Sequence, residues 1–301
     1  MATSLRALLS YASNVVSQIP ILNSNLQHVS PYEPLSAAPF CPLDGPMSCY
    51  NSTPVAGDSC CFAHPGGRVL LAQLWDREVH AAGAEEDWTL RGLWPALCDG
   101  IPDKYCQMTP QYTNITSILR HYGQDELLEF MDRYWLAASG PNTDLWQREY
   151  TKHATCLNTL SPTCYGASHA PGLEVVDYFT RAAALFRTLD TYRALERAKI
   201  VPDARRRYPR GDVQRALERF GGGRVVLRCT TTGSDDDVEE DGDGATRGEG
   251  DVLHQVWYVY FVRGSLQTGQ FVPAQELGAR GDVGNCAAEV RYLPKTGRGE
   301  L

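Results

Sequence analysis

The 301-residue chain has no long hydrophobic run, because none approaches the roughly 18 residues that a transmembrane helix requires. We therefore expect no membrane span. None of its ten cysteines falls in a C-x-x-C pair, the spacing typical of zinc sites, so we expect no metal or other cofactor. The chain also contains no internal repeat. Its Asp-Gly-Asp-Gly run at 241–244 lacks the downstream ligands of an EF-hand, which makes calcium binding the less favoured interpretation.

Acidic residues are concentrated in one segment, 233–251. The formal net charge of the chain is −8, and the nine acidic residues and single arginine of this segment account for all of it. The rest of the chain is close to neutral, so the acidic total does not exclude a polyanionic substrate. The segment is poor in apolar residues and rich in Gly and Asp, which predicts a disordered insertion loop between two strands.

The ten cysteines are even in number, and Cys60 and Cys61 are adjacent, which suits two bridges that diverge from one point. We expect five disulfides formed in an oxidising compartment. Acceptor sequons begin at Asn51 and Asn114, which predicts glycosylation and secretion. Residues 1–38 are interpreted as a leader and linker whose short apolar patch makes a weak signal peptide. The predicted location is extracellular or the vacuolar lumen.

A single α+β domain is predicted over 39–295, because helices and strands are mixed without βαβ alternation. Gly92 and Pro95 are expected to end the second strand in a turn. Asp212 is expected to cap a helix that stops at Gly221. Apolar and β-branched runs predict strands over 68–75, 88–90, 224–229, 256–262 and 288–293, and helical spacing predicts helices over 114–122, 125–136, 145–156, 173–199 and 212–220.

The predicted helix over 145–156 carries Arg148, Glu149, Lys152 and His153 within six residues. Glu149 and His153 are four apart, and so are Arg148 and Lys152, so each pair shares a helix face. One imidazole, one carboxylate and two cations would make a phosphate-handling surface. The same pattern is typical of a solvated helix with salt-bridge pairs, and the helix alone favours neither interpretation.

Two stretches resemble the conserved active-site segments of the ribonuclease T2 family. The first is Trp-Thr-Leu-Arg-Gly-Leu-Trp-Pro at 88–95, where the family has His-Gly-Leu-Trp-Pro. The second is 146–156, which is similar to His-Glu-Trp-x-Lys-His-Gly-Thr-Cys. The resemblance covers about 41–293 and includes the cysteines in the order of the fungal branch. It implies a ribonuclease T2-like fold, with an antiparallel central sheet, packed helices and five bridges: Cys41–Cys61, Cys49–Cys98, Cys60–Cys164, Cys106–Cys156 and Cys229–Cys286.

The resemblance also implies a reaction. Family enzymes cleave single-stranded RNA without a metal or cofactor, because the ribose 2′-OH attacks the adjacent phosphorus and leaves a 2′,3′-cyclic phosphate. This chemistry needs a base for the 2′-OH, an acid for the 5′-oxygen and cations for the phosphoryl oxygens. The family uses one histidine from each segment as the acid–base pair. A glutamate and a lysine assist them, and a third histidine contacts phosphate.

The match of site residues is partial. His153, Glu149 and Lys152 occupy the expected positions, but Arg91 replaces the first catalytic histidine and Arg148 replaces the phosphate-contacting one. An arginine, with a pKa above ~12, binds phosphate but cannot shuttle a proton. We therefore predict that RNA binding is retained, by Arg148 among others, and that cleavage falls by about 10²–10⁴-fold.

Of the two positions considered for base binding, one matches the family and one does not. Trp94 keeps the aromatic position near the expected base site, whereas Ala96 stands where some fungal members have a base-contacting Asp, so the resemblance implies no base preference. Core packing is the favoured interpretation of the other tryptophans considered, namely Trp75, Trp88, Trp135 and Trp257.

Three functions remain open at this point. The first is a ribonuclease T2-like enzyme with reduced activity, which would act as a monomer on single-stranded RNA. The second is a catalytically inactive RNA-binding or extracellular interaction protein on the same fold, and the third is a fold retained for stability alone. Of the other histidines, His80 is the one considered as a replacement for the missing catalytic group, although a surface role is favoured.

Overall fold

A seven-stranded sheet organises the part of the chain that the structure, a computed structural model, describes: 41–42, 44–50, 59–77, 85–231 and 249–295. The strands are β1 (Arg68–Leu74), β2 (Thr89–Ala96), β3 (Tyr208–Pro209), β4 (Val225–Thr230), β5 (Gly250–Arg263), β6 (Gln270–Pro273) and β7 (Cys286–Arg291). Their order is β2-β1-β5-β7-β3, and β4 and β6 also pair with β5. All pairs are antiparallel except β5–β7, so the predicted α+β class is confirmed, with one parallel pair added.

Several expectations fall outside the described residues. These are the leader at 1–38, the sequon at Asn51, the alternative histidine His80 and most of the acidic segment. The end of that segment is described and differs from the prediction, because β5 begins at Gly250. Asp251 is therefore a strand residue, and its carboxylate pairs with Arg207 at 3.3 Å and Arg291 at 3.2 Å.

Strand β2 continues through the stretch that was expected to form a turn, so that prediction was wrong. β2 pairs with β1 with Leu70 opposite Trp94 and Val69 opposite Pro95, and the register shifts by one residue at Arg91. A proline fits here because β2 is the last strand in the order, and an edge strand has free positions for a residue without an N–H. The consequence is that Gly92 to Pro95 is extended and in register with β1, directly after the β-bulge at Arg91.

Helices pack against the sheet, and two of them contact β2. In the described residues they are α1 (Ile115–His121), α2 (Asp125–Tyr134), α3 (Asn142–His153), α4 (Leu173–Phe186), α5 (Thr191–Arg197) and α6 (Arg210–Gly221), with short 3₁₀ helices at Ser59–Cys61, Ala154–Cys156, Asn158–Leu160 and Pro162–Ser168. None of these helices is long and apolar enough to cross a membrane.

Two helix predictions need correction. The single helix expected over 173–199 is broken between α4 and α5, because the Asp190 side chain accepts a hydrogen bond from the Arg193 N–H at 3.0 Å and starts a new helix. Asp212 does not cap α6 but lies in its first turn, and Pro209 occupies the cap position. The helix ends on Gly222, whose φ of 75° lies in the left-handed region, rather than on Gly221.

An aromatic cluster fixes α3 against its neighbours. The Tyr150 ring of α3 packs edge-on against Tyr178 of α4, with ring centroids 5.9 Å apart, and stacks on Phe179 at 6.3 Å. Trp135, which follows α2, packs on Phe179 at 5.0 Å. All four side chains are buried. The expectation of core packing also holds for Trp75 and Trp88, whereas Trp257 is only partly buried.

The cysteines form the five bridges that the resemblance implies: Cys41–Cys61, Cys49–Cys98, Cys60–Cys164, Cys106–Cys156 and Cys229–Cys286. The last of these joins the end of β4 to the start of β7. The Asn285 side chain reinforces it by accepting from the Cys229 N–H at 2.8 Å and donating to the Cys229 carbonyl at 2.9 Å. Gly250 also pairs with Cys286, so the described residues on both sides of the acidic segment lie close to this bridge.

A fully buried ion pair ties the loop before β7 to the central sheet. Arg68 at the start of β1 lies 2.6 Å from the Asp282 carboxylate, and its guanidinium also donates to the Glu276 carbonyl at 2.8 Å. The Asp282 carboxylate accepts the Gly278 N–H at 2.6 Å. A buried charge that loses its partner is strongly destabilising, because the lost solvation is no longer offset.

We expect Asp282→Ala to lower the free energy of unfolding by about 3–5 kcal/mol, because Arg68 would remain buried without a counter-charge. Denaturant titration measures this change. The matched control is Arg280→Ala, which breaks an exposed pair with Asp99 (3.4 Å) and should cost only about 0–1 kcal/mol. Equal effects of the two substitutions would contradict the role of the buried pair.

Candidate active site

The outer edge of β2 is fastened to the helices by two side-chain hydrogen bonds. The Trp135 indole donates to the Arg91 carbonyl at 3.0 Å, and the Tyr178 hydroxyl donates to the Leu93 carbonyl at 3.0 Å. A further bond runs from the Trp146 indole of α3 to the Trp135 carbonyl at 2.9 Å. Trp135 thus connects the two motif segments, and the unpaired carbonyls of the edge strand are satisfied without another strand.

Glu149 and His153 lie one turn apart on α3 and face Trp94 of β2. The Trp94 indole donates to Glu149 Oε2 at 2.7 Å, and the same oxygen lies 3.8 Å from His153 Nε2. The Trp94 and His153 rings stack, with centroids 5.2 Å apart and planes 23° from parallel. Glu149, Lys152 and His153 are only 3%, 6% and 5% exposed. This face of the helix is therefore a buried polar site and not a solvated row of ion pairs.

Glycine is required at position 92 for this arrangement. A Cβ at Gly92 would lie 2.3 Å from Glu149 Oε2 and 2.3 Å from Trp94 Nε1, the two atoms joined by the hydrogen bond. Such separations are far below van der Waals contact. The Gly in the Arg-Gly-Leu-Trp-Pro stretch therefore makes room for the carboxylate of the second segment.

The electrostatic surroundings keep His153 neutral. Burial is the main cause that lowers its pKa well below 6.5, and the positive charges of Lys152, Lys104 and Arg91 lower it further, in that order. Among the described residues, neither ring nitrogen of His153 has a hydrogen-bond partner. Buried polar atoms are normally paired, so two unpaired nitrogens beside three cations are typical of a site that receives a polar, anionic ligand.

Lys104 was missed by the sequence analysis, although it belongs to this cationic group. Its neighbours hold it between the motif segments: the Asp103 N–H donates to the Pro95 carbonyl at 3.1 Å, and the Tyr105 N–H donates to the Lys152 carbonyl at 2.8 Å. The sequence did contain a signal that Lys104 lies near His153. Lys104 is two residues before Cys106, whose implied partner, Cys156, is three residues after His153.

The other predicted site residues occupy different surroundings. Arg91 is half-buried, and its charge acts on His153, whereas Arg148 is exposed on α3. Trp94 is 8% exposed; one face of its ring packs on His153, and Trp257 packs edge-on against it at 5.5 Å. Trp94 therefore packs against Glu149 and His153 and has little surface left for a ligand. The predicted glycosylation residue Asn114 is exposed directly before α1.

The other described histidines are not surrounded by residues of the two motif segments. His64 and His121 are exposed, and His169 lies 3.4 Å from the Glu174 carboxylate. His254 is half-buried in β5, where its backbone carbonyl accepts the Trp75 N–H at 2.8 Å. In the described part of the chain, His153 is thus the histidine with motif partners around it.

Asp103, Cys106 and Cys156 are residue types that bind metals, but two of them are not available as ligands. The potential ligand atoms of Asp103, Cys106 and Cys156 all lie within 4.8 Å of one another. The two sulfurs, however, are bonded to each other in a disulfide, and a metal ion binds the thiolate form of cysteine. The cluster therefore fastens Lys104 and Tyr105 to the end of α3 and does not offer three ligands.

Comparisons with known proteins agree with this geometry. A family model described as "Ribonuclease T2 family" matches residues 66–262. The chain is 39% identical over 259 residues to "Ribonuclease T2" of Aspergillus oryzae, covering 85% of this chain and 84% of that protein. It is also 39% identical over 259 residues to "Ribonuclease Trv" of Hypocrea rufa, covering 86% of this chain and all of the relative. The crystal structure of Actibind, described as a T2 ribonuclease, superposes with a TM-score of 0.71 at 35% identity and covers 85% of this chain and 98% of that one.

We expect Gly92→Ala to destabilise the protein by about 1–3 kcal/mol, because the new methyl group must displace Glu149 or Trp94. Thermal unfolding and near-UV circular dichroism would report the stability and the Trp94 environment. Gly211→Ala is the matched control, since its Cβ would meet only the mobile end of Arg215 at 3.2 Å on an exposed helix. A Gly92→Ala protein as stable as this control would contradict the close approach.

His153 should make stability depend on pH. Its pKa in the folded protein lies well below 6.5, the value expected after unfolding, so the unfolded chain binds the proton first. The contribution is fully present above pH 6.5 and is lost as the pH falls from there toward the folded-state pKa. We expect His153→Phe to lose less stability than the native protein between pH 7 and about pH 5, as measured by denaturant titration at each pH. Identical losses would show that His153 does not titrate in this way.

Proposed function

Because the chain belongs to the ribonuclease T2 family, we propose that it is a secreted protein that binds single-stranded RNA and cleaves it at a strongly reduced rate. The observation that carries the proposal is the buried His153, with two unpaired ring nitrogens, Glu149 beside it and cations around it. The reduction in rate follows from Arg91, whose charge acts on His153 and which occupies the position where the resemblance places the other catalytic histidine.

The residues present can supply the base and the cations that the family reaction needs. Neutral His153 is in the correct state to accept the proton of a ribose 2′-OH, because a general base must be unprotonated at the working pH. Lys152, Lys104 and Arg91 would stabilise the negative charge that develops on the phosphoryl oxygens. Attack of the 2′-oxygen on phosphorus then breaks the bond to the 5′-oxygen and leaves a 2′,3′-cyclic phosphate.

The reaction lacks a positioned acid. The departing 5′-oxygen needs a proton, and a guanidinium keeps its protons in proteins, so Arg91 is not that acid. In the proposed mechanism solvent water gives this proton, and the hydroxide that remains takes up the proton accepted by His153. The loss of one positioned acid costs about 10²–10⁴-fold in rate, which separates an impaired ribonuclease from an efficient one.

A catalytically inactive RNA-binding protein is the second candidate. Three cations, Lys152, Lys104 and Arg91, act on His153 and favour this candidate. Such a group of cations binds a phosphate whether or not the RNA backbone is then cleaved. In this case the binding surface would be the same, and only the turnover would be absent.

Secretion is supported by the chemistry of the bridges. Five disulfides persist in an oxidising compartment and are rare in the cytosol. The exposed position of Asn114 is compatible with a glycan on that sequon. We therefore propose the extracellular space or the vacuolar lumen as the location, and a monomer as the working form.

Restoring the missing histidine should restore catalysis. We expect Arg91→His to raise the rate of cleavage of single-stranded RNA by about 10²–10⁴-fold, because it supplies a second group able to transfer protons. The Arg91 backbone, fixed by Trp135, is unchanged by this substitution. The rate and the appearance of cyclic-phosphate ends should be measured from acidic to neutral pH.

Arg91→Lys is the matched control, because it keeps a cation at the same place without an imidazole and should give no such increase. Adding His153→Ala to Arg91→His should abolish the gain. If the native protein already cleaves RNA as fast as the Arg91→His variant, the proposed impairment is wrong. If the native protein does not bind RNA even at low salt, the RNA-directed function itself is wrong.

A further inference from the structure

An RNA-binding site needs an aromatic surface for a base, and Trp94 does not offer one. Stacking on exposed aromatic rings is the usual way in which proteins hold single-stranded bases. Trp94 is only 8% exposed, and its ring packs on His153 and Trp257. The highly exposed aromatic residues of the described chain are Tyr50, at 76%, and Tyr105, at 60%.

Tyr105 lies where the two motif segments meet. Its N–H donates to the carbonyl of Lys152 at 2.8 Å, and the N–H of Asp103, two residues earlier, donates to the carbonyl of Pro95 at 3.1 Å. Lys104 is between these two bonds. The segment therefore connects the end of β2 with the end of α3 and carries one cation and one exposed ring at the junction.

The backbone of Tyr105 is held in an unusual conformation. Its φ of 56° lies in the left-handed region, which is unfavourable for a residue with a Cβ. The hydrogen bond to Lys152 fixes it on one side, and the Cys106–Cys156 bridge fixes it on the other. Strained conformations of this kind persist where the surrounding structure determines them, and they cluster at ligand sites.

We propose that Lys104 and Tyr105 form a nucleotide subsite, in which the Lys104 ammonium contacts a phosphate of the bound strand and the Tyr105 ring stacks on a neighbouring base. The inference rests on the proposed RNA-directed function and adds a substrate contact outside the two motif segments. Because every base has a stacking face, such a subsite is tolerant of base identity. This tolerance agrees with Ala96, which has no group to hydrogen-bond a base.

The proposal is tested by binding rather than cleavage. The probe is a 2′-O-methyl oligoribonucleotide, which has no free 2′-OH to attack, and its partner probe is an abasic strand of the same length. Tyr105→Gly removes the ring and tolerates a φ of 56°, so it should remain folded. We expect it to weaken binding of the base-containing strand by about 5- to 150-fold and to leave the abasic strand unaffected. Tyr105→Phe should bind as the native protein does.

Matched variants separate this subsite from general surface effects. Tyr50→Ala removes an exposed tyrosine from the segment before β1 and should not change binding. Lys104→Gln should weaken both probes alike and reduce the slope of log affinity against log salt by about one, whereas Lys199→Gln, at an exposed lysine, should do neither. Thermal unfolding of each variant confirms that it is folded.

The outcomes are distinguishable. If the native protein binds the oligonucleotide but Tyr105→Gly binds it equally well, or loses affinity equally for the abasic strand, the stacking subsite is wrong and the RNA-directed function stands. An unchanged salt slope in Lys104→Gln would likewise overturn the phosphate contact. If the native protein binds neither strand at low salt, both the proposed function and the subsite that rests on it are wrong.

Discussion

The hydrogen bond from the Trp94 indole to Glu149 determines the geometry of the site. It joins an edge strand to a helix at 2.7 Å, and it exists only because Gly92 leaves space for the carboxylate. The same contact places the Trp94 ring against His153. Burial of this group is the main cause that lowers the pKa of His153 well below its usual range, so one close approach between two backbone elements helps to set the environment of this histidine.

The arginine at position 91 changes the balance of charge in the site and leaves its framework intact. The bond from Trp135 holds the Arg91 carbonyl and does not involve the side chain. The charge of Arg91 acts on His153 together with those of Lys152 and Lys104. We propose on this basis that the site holds a phosphate and has one group fewer for moving protons than the family resemblance implies.

The fold class and the arrangement of Glu149 and His153 were predictable, because helical spacing and the cysteine pattern are local signals in the sequence. The path of β2 was not, because pairing with β1 overrides the turn preference of Gly92 and Pro95. The break before α5 depends on a single capping contact by Asp190. Lys104 joins the site only through tertiary contacts and a bridge, and the burial that neutralises His153 is a property of packing that no spacing reveals.

The Cys229–Cys286 disulfide would keep the molecule covalently joined if the acidic segment were cleaved. Cys229 and Cys286 are on opposite sides of residues 232–248 in the chain, and their bridge joins the two parts independently of the peptide backbone. Proteolytic cleavage within 232–248 would therefore yield a two-chain protein, with Arg91 and His153 together on the N-terminal chain and the whole of β5 on the other. The two fragments would separate only after reduction.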